Sequence, residues 1–162
     1  LLRAADAEHV VVSSADSFAD DLTAAITATG ATLAFDAIGG GEQVDTLLAS
    51  MEKASSAGQA FSRYGSDTHK QVYIYGGLDR SATTLRRTYG MSWGVGGWLL
   101  TPFLGRVGFE RMAELQARVA AEITTTFASG YADTISLDDM LDPAVAKAYS
   151  AQATGEKRLV TP

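Results

Sequence analysis

A parallel α/β fold is predicted from three observations. Short apolar runs, His9–Val12, Thr32–Asp36 and Gln71–Tyr75, alternate with segments of helical periodicity. The second and third runs end in glycines, Gly39-Gly40-Gly41 and Gly76-Gly77. The joins between most elements are short. Strands that alternate with helices imply a parallel sheet with right-handed crossovers.

The elements follow in order. Leu1 to Ala7 reads as the last turns of a helix, and His9–Val12 as a buried strand. Ser17 stands at an N-cap position with Asp20 three residues on, the spacing of a capping box. Phe18, Leu22, Ala25 and Ile26 share a helical face, and Gly30 ends that helix. After the strand Thr32–Asp36, a helix from about Glu42 to Ala57 carries Val44, Leu47, Leu48 and Met51. A polar loop, Ser55 to His69, leads to the strand Gln71–Tyr75. Leu78 to Gly97 reads as an irregular excursion and Trp98-Leu99-Leu100 as a further strand. Gly108 precedes a helix from about Phe109 to Phe127, with Met112, Leu115, Val119 and Ile123 on one side. Tyr131 to Ser136 is extended. Asp142-Pro143 opens a short helix reaching about Gln152, closed by Gly155, and Arg158-Leu159-Val160 is a final strand.

Composition narrows the function. A length of 162 residues suits one compact domain with a core of its own. The net charge of −6 opposes general nucleic-acid binding. The longest apolar-rich stretch, Trp93 to Leu104, is interrupted by glycines and Pro102, so no membrane span is expected. Cysteine is absent from the sequence, which removes disulfides and thiolate metal sites and fits a cytoplasmic setting. His9 and His69 lack metal-ligand spacing, and no G-x-S-x-G elbow is present. The sequence opens without Met in what reads as mid-helix, so a fragment of a longer protein is expected.

In open parallel sheets, ligands bind at the carboxyl ends of strands. Three such ends are visible: Val12-Ser13-Ser14, Asp36-Ala37-Ile38-Gly39 and Tyr75-Gly76-Gly77-Leu78. Glycine there either lets backbone approach a ligand or simply makes a tight turn; the pattern alone favours the turn. Asp36 either faces a cofactor or caps the next turn, and capping is favoured. Ser13 suits a ribose or phosphate contact, or an ordinary loop. Gly94-x-Gly96-Gly97 lacks dinucleotide-fingerprint spacing, Trp93 and Trp98 suit packing or a subunit interface more than a substrate cage, and Arg86-Arg87 could reach a phosphate but reads more readily as a solvated pair. Arg63-Tyr64 reads either as a phosphate contact or as a solvated loop pair.

Several segments in order carry a family resemblance. They are Phe35–Gly41, Arg63-Tyr64-Gly65-Ser66, Gln71–Asp79, Gly94–Phe103 and Ala153–Val160. Together they resemble the quinone oxidoreductase-like, zinc-independent branch of the medium-chain dehydrogenase/reductases, a superfamily often labelled zinc-type alcohol dehydrogenase. The resemblance implies an incomplete Rossmann-like doubly wound parallel sheet over residues 1–128. It implies that residues 129–162 return toward a GroES-like catalytic domain. Hydride would pass from NADP(H), or alternatively NAD(H), to a small-molecule quinone, enone or related carbonyl compound, without zinc. Ala37, Ile38, Gly39, Tyr75, Gly76, Gly77 and Leu78 would line the cofactor site, with Ser13 toward the adenosine. Trp98-Leu99-Leu100 would lie near the nicotinamide or a dimer strand.

The resemblance also marks what the sequence lacks. The family's glycine-rich phosphate loop and its cofactor-selecting residues lie before this segment. The fragment is therefore expected to be inactive alone and to self-associate, or to form a homodimer, through an uncovered face. A relative that binds a nucleotide or partner without turnover is the alternative reading.

Overall fold

A computed structural model of the chain describes residues 2–3, 6–128, 130–150 and 157–162. They divide into two compact units, residues 2–99 and residues 100–162.

The first unit runs α1 (Phe18–Thr29), β1 (Leu33–Asp36), β2 (Gly39–Gly41), α2 (Gln43–Ser56), β3 (Lys70–Ile74), β4 (Asp79–Thr83) and β5 (Trp93–Gly97). Strands β1, β3 and β5 form one parallel sheet with β3 at its centre. The register sets Phe35 beside Tyr73, and Tyr73 beside Gly96. β2 and β4 pair in parallel as a separate two-stranded ledge. The expected parallel α/β architecture is present.

The core follows from the period of α2. Val44, Leu48 and Met51 recur at helical spacing and are buried, and Leu47 is half-buried. Val44 and Leu48 pack with Val72 and Tyr89, and Ala34, Ile74, Trp93 and Val95 close around them. Alternation along the strands puts Ala34, Val72 and Val95 on this helix-covered face. It puts Leu33, Phe35, Gln71 and Tyr73 on the other. That face is open: Leu33 is 50% and Phe35 54% exposed. Double winding is thus incomplete within this unit.

Several expectations change. His9–Val12 forms no strand, because no neighbouring strand pairs with it, and Val12 is exposed. Ser17 does precede α1, but its hydroxyl donates to Asp21 Oδ2 at 2.7 Å instead of capping the backbone. Gly30 closes α1 in the left-handed conformation, donating to Ile26 O at 2.8 Å. The excursion Leu78–Gly97 holds two strands, and Trp98-Leu99-Leu100 is not one of them; Leu100 begins a helix. The strand in that region is glycine-rich because its neighbour is bulky. A Cβ on Gly94 would sit 2.5 Å from the Gln71 amide oxygen, and one on Gly96 would sit 3.3 Å from the Tyr73 ring. Arg86 is exposed, as expected, but it is also paired: its guanidinium bridges Asp45 and Glu42, and its backbone N–H donates to Asp45 Oδ1 at 2.6 Å.

The second unit contains α3 (Leu100–Ala121), β6 (Asp133–Ser136), α4 (Pro143–Ser150) and β7 (Arg158–Thr161). Gly108, at φ 84° and ψ 170°, breaks α3 into two segments. The expected helix therefore starts on time after Gly108, but it ends at Ala121 rather than Phe127. Three consecutive threonines, Thr124 to Thr126, disfavour helix, and the Thr125 hydroxyl bonds Glu122 O at 3.3 Å. β6 and β7 pair in parallel, with Arg158 Nε 3.3 Å from Asp133 Oδ1. Asp142 caps α4 as expected, accepting the Ala144 N–H at 2.7 Å. The last turns of a helix expected at Leu1–Ala7 fall partly outside the described residues, as do the ends at Gln152 and Gly155. No described residue of 100–162 is buried. Among the described residues, no helix is long and apolar enough to cross a membrane.

Candidate cofactor site

The chain leaves β1 through Asp36, whose carboxylate is buried. One oxygen accepts the Ile38 N–H at 2.8 Å and the other the Gly39 N–H at 3.0 Å. This is the capping role expected of Asp36, and it occupies the carboxylate with its own turn. The turn after β3 is stitched to the turn after β1. Tyr75 N–H donates to Asp36 O at 2.9 Å, Leu78 N–H to Ala37 O at 3.4 Å and Asp79 N–H to Ile38 O at 2.9 Å.

Gly76 makes that approach feasible. A Cβ there would sit 2.3 Å from Ala37 O and 2.9 Å from two more backbone atoms of Ala37. Gly39 is similarly close to Gly76 O. These two glycines thus serve turn-on-turn packing. Gly77 differs, because a Cβ there would meet nothing within 4 Å. Tyr75 and Leu78 beside it are half-exposed. The ledge fixes the outer side: Thr83 Oγ1 donates to Gly39 O at 2.6 Å, and Gly41 N–H donates to Ser81 Oγ at 3.1 Å. Bonds from the Ser81 backbone and hydroxyl hold the exposed Asp79 carboxyl below its usual pKa.

The structure therefore brings Ala37, Ile38 and Gly39 together with Tyr75, Gly76, Gly77 and Leu78. Ser13 lies in an exposed turn, Val12–Ala15, and no hydrogen bond among the described residues joins it to that group. Sequence reasoning missed the ledge, and it missed an aromatic row on the open sheet face. There Phe35 lies 5.8 Å from Tyr73 and 6.0 Å from Trp98, ring centre to ring centre. Strand alternation was the available signal, since Phe35 and Tyr73 are odd-numbered partners across β1 and β3. Trp93 packs edge-on against Tyr89 at 5.0 Å, the packing role expected of it. Among the described residues, no three His, Cys, Asp or Glu side chains gather into a group that could hold a metal ion.

A cleft of about 800 Å³ lies at the opposite end of the strands, before β3 and β5, lined by residues that include Glu52, Arg63, Tyr64 and Arg87. It shares no residue with the turns described above.

No known protein-family profile matches the sequence, and no curated protein matches it. Among solved structures, the chain is similar to a "putative NADPH:quinone reductase" from Mesorhizobium loti, with a TM-score of 0.65 at 19% identity over 96% of this chain. The likeness is one of fold, and it agrees with the parallel α/β arrangement. The chain spans 40% of the length of that protein's chain.

Proposed function

We propose that this chain is part of an NADPH-dependent oxidoreductase that transfers hydride to quinones, enones or related carbonyl compounds without zinc. The observation that carries this reading is the stitched pair of turns at the carboxyl ends of β1 and β3, the place where parallel sheets take ligands. The fold likeness to a "putative NADPH:quinone reductase" supports it. When bound, the nicotinamide cofactor supplies the hydride.

This chain's residues would give one wall of that site. Gly77 leaves open space for close approach, and the exposed Tyr75 and Leu78 flank it. Asp36, already satisfied, would act by holding the Ala37–Gly39 turn rather than by touching the cofactor. Ser13 is exposed, and its hydroxyl would serve the adenosine side. No G-x-G-x-x-G segment occurs in the sequence, so the phosphates would be held elsewhere in the whole protein. We assign residues 129–162 to the return toward a catalytic domain, and the lack of buried residues among those described there supports that assignment.

The test is NADPH oxidation with quinones by the whole protein. Turnover is expected, and binding without turnover would favour a non-catalytic relative. This chain alone is expected to bind NADPH weakly or not at all. Calorimetry that gave a micromolar or tighter constant would sink the expectation. The chain is also expected to self-associate through the outer edge of β1 and the open face carrying Leu33 and Phe35. Light scattering that showed a monomer at every concentration would contradict it.

A further inference from the structure

The cleft at the amino ends of β3 and β5 has its own design, independent of the cofactor reading. Two loops form it, one between α2 and β3 and the other between β4 and β5. They are locked face to face. Gly65 and Gly90 both have positive φ, 77° and 71°, and a Cβ on Gly65 would sit 2.5 Å from Gly90 Cα. The Met91 N–H donates to Tyr64 O at 3.0 Å. Behind them, Glu52 accepts the Ser66 N–H and the Ser66 hydroxyl, each at 2.8 Å, which ties the first loop to α2.

The charges in this cleft are unbalanced. Glu52 is neutralised by Lys70 Nζ at 2.5 Å. Arg63 and Arg87 make no ion pair among the described residues, in a chain whose net charge is −6. Arg63 lies over the Tyr64 ring at 5.2 Å, which orients the guanidinium without cancelling its charge. Arg87 is held at φ 60°, a conformation that non-glycine residues seldom adopt and that clusters at functional sites. Large apolar side chains stand uncovered at the same place: Phe61 is 95% and Met91 78% exposed. The volume, about 800 Å³, lies in the range of small-molecule sites.

We propose that this cleft binds a planar aromatic anion of mononucleotide size. The guanidinium groups of Arg63 and Arg87 take the anionic group, and Tyr64, Phe61 and Met91 take the ring.

The test is calorimetric titration of the 162-residue chain with AMP, with adenosine and inorganic phosphate run beside it. Saturable AMP binding is expected, tighter than either part alone and weakened by added salt. Arg63→Gln and Arg87→Gly should each weaken AMP about tenfold. Glycine suits the left-handed position of Arg87, so the second variant removes the charge without adding strain. Gly77→Ala, at the far end of the strands, should leave AMP affinity unchanged. Absence of saturable binding up to about 5 mM AMP would overturn the proposal. So would equal affinity for adenosine, or full affinity in the Arg63→Gln/Arg87→Gly double variant. Thermal melts of each variant, matched to the parent, exclude unfolding as the cause of a loss. The salt dependence of the unmodified chain reads the same charge requirement without any substitution.

Discussion

Replacing Lys70 with methionine should destabilise the protein by about 3–5 kcal/mol at neutral pH. Lys70 is fully buried, and its ammonium donates to Glu52 Oε2, to the Ser66 hydroxyl at 3.0 Å and to Thr68 O at 2.8 Å. The variant keeps a buried Glu52 carboxylate and removes its counter-charge, which is the costly way to break such a pair. In a domain of this size, the melting temperature should fall by roughly 10 °C. A fall in stability below about 1 kcal/mol by chemical denaturation would contradict the account. Removing both charges, as Glu52→Gln with Lys70→Met, should recover part of the loss.

The same pair sets an acid limit. Burial alone would push the Glu52 carboxyl up, but the bonds from Lys70, Ser56 and Ser66 outweigh it and lower the pKa from 4.5 to about 2. A carboxyl whose pKa is lower in the folded state binds fewer protons there than in the unfolded chain. Its contribution is complete above the unfolded value and is lost as pH falls toward about 2. The contribution is roughly 3 kcal/mol. In Lys70→Met the ammonium no longer opposes burial, so the acid-side loss of stability should shrink. Denaturation curves at pH values either side of that window read this directly.

The second large effect is expected from Gly76→Ala. The added methyl would meet the backbone of Ala37 at 2.3 Å, and backbone cannot swing aside as a side-chain tip can. Either the two turns separate and lose the bonds between them, or β3 shifts in register. Overpacking of this kind costs about 1–3 kcal/mol. Gly77→Ala, one residue on, enters open space and should change stability by less than about 0.5 kcal/mol. In the whole protein it should still raise the KM for NADPH, because it fills the proposed approach. Equal melting temperatures for the two variants would refute the division of labour between the paired glycines.

What the sequence made legible was local. The α2 stripe of Val44, Leu48 and Met51 declared its buried face, and Asp36 declared its turn, because each signal lies within a few residues of its consequence. β5 was obscured because its strand character depends on Gln71 and Tyr73, which lie across the sheet and leave room only for glycine. β2 is three glycines, a sequence with no strand preference of its own, and it is ordered by Ser81 and Thr83 some forty residues away. His9–Val12 has strand composition but no paired neighbour, so propensity went unrealised. Within the candidate site, the turns were legible and their contact was not. Nothing in the sequence links Lys70 to Glu52, eighteen residues apart, and only the fold brings them together below the surface.

The ledge formed by β2 and β4 has a consequence for chain length. Asp36 pairs with Ile74 in the main sheet, and Gly39 pairs with Asp79 in the ledge. The spacing between those two registers differs on the two segments, Asp36 to Gly39 and Ile74 to Asp79, and each turn is cut to its own size. An inserted or deleted residue in either turn would slide Gly39 off Asp79 and misalign every bond beyond it. Length variation among related proteins should therefore be absent from both turns together. It should collect instead where the chain leaves α2, near Gly58, ahead of the anchored stretch Tyr64–Ser66.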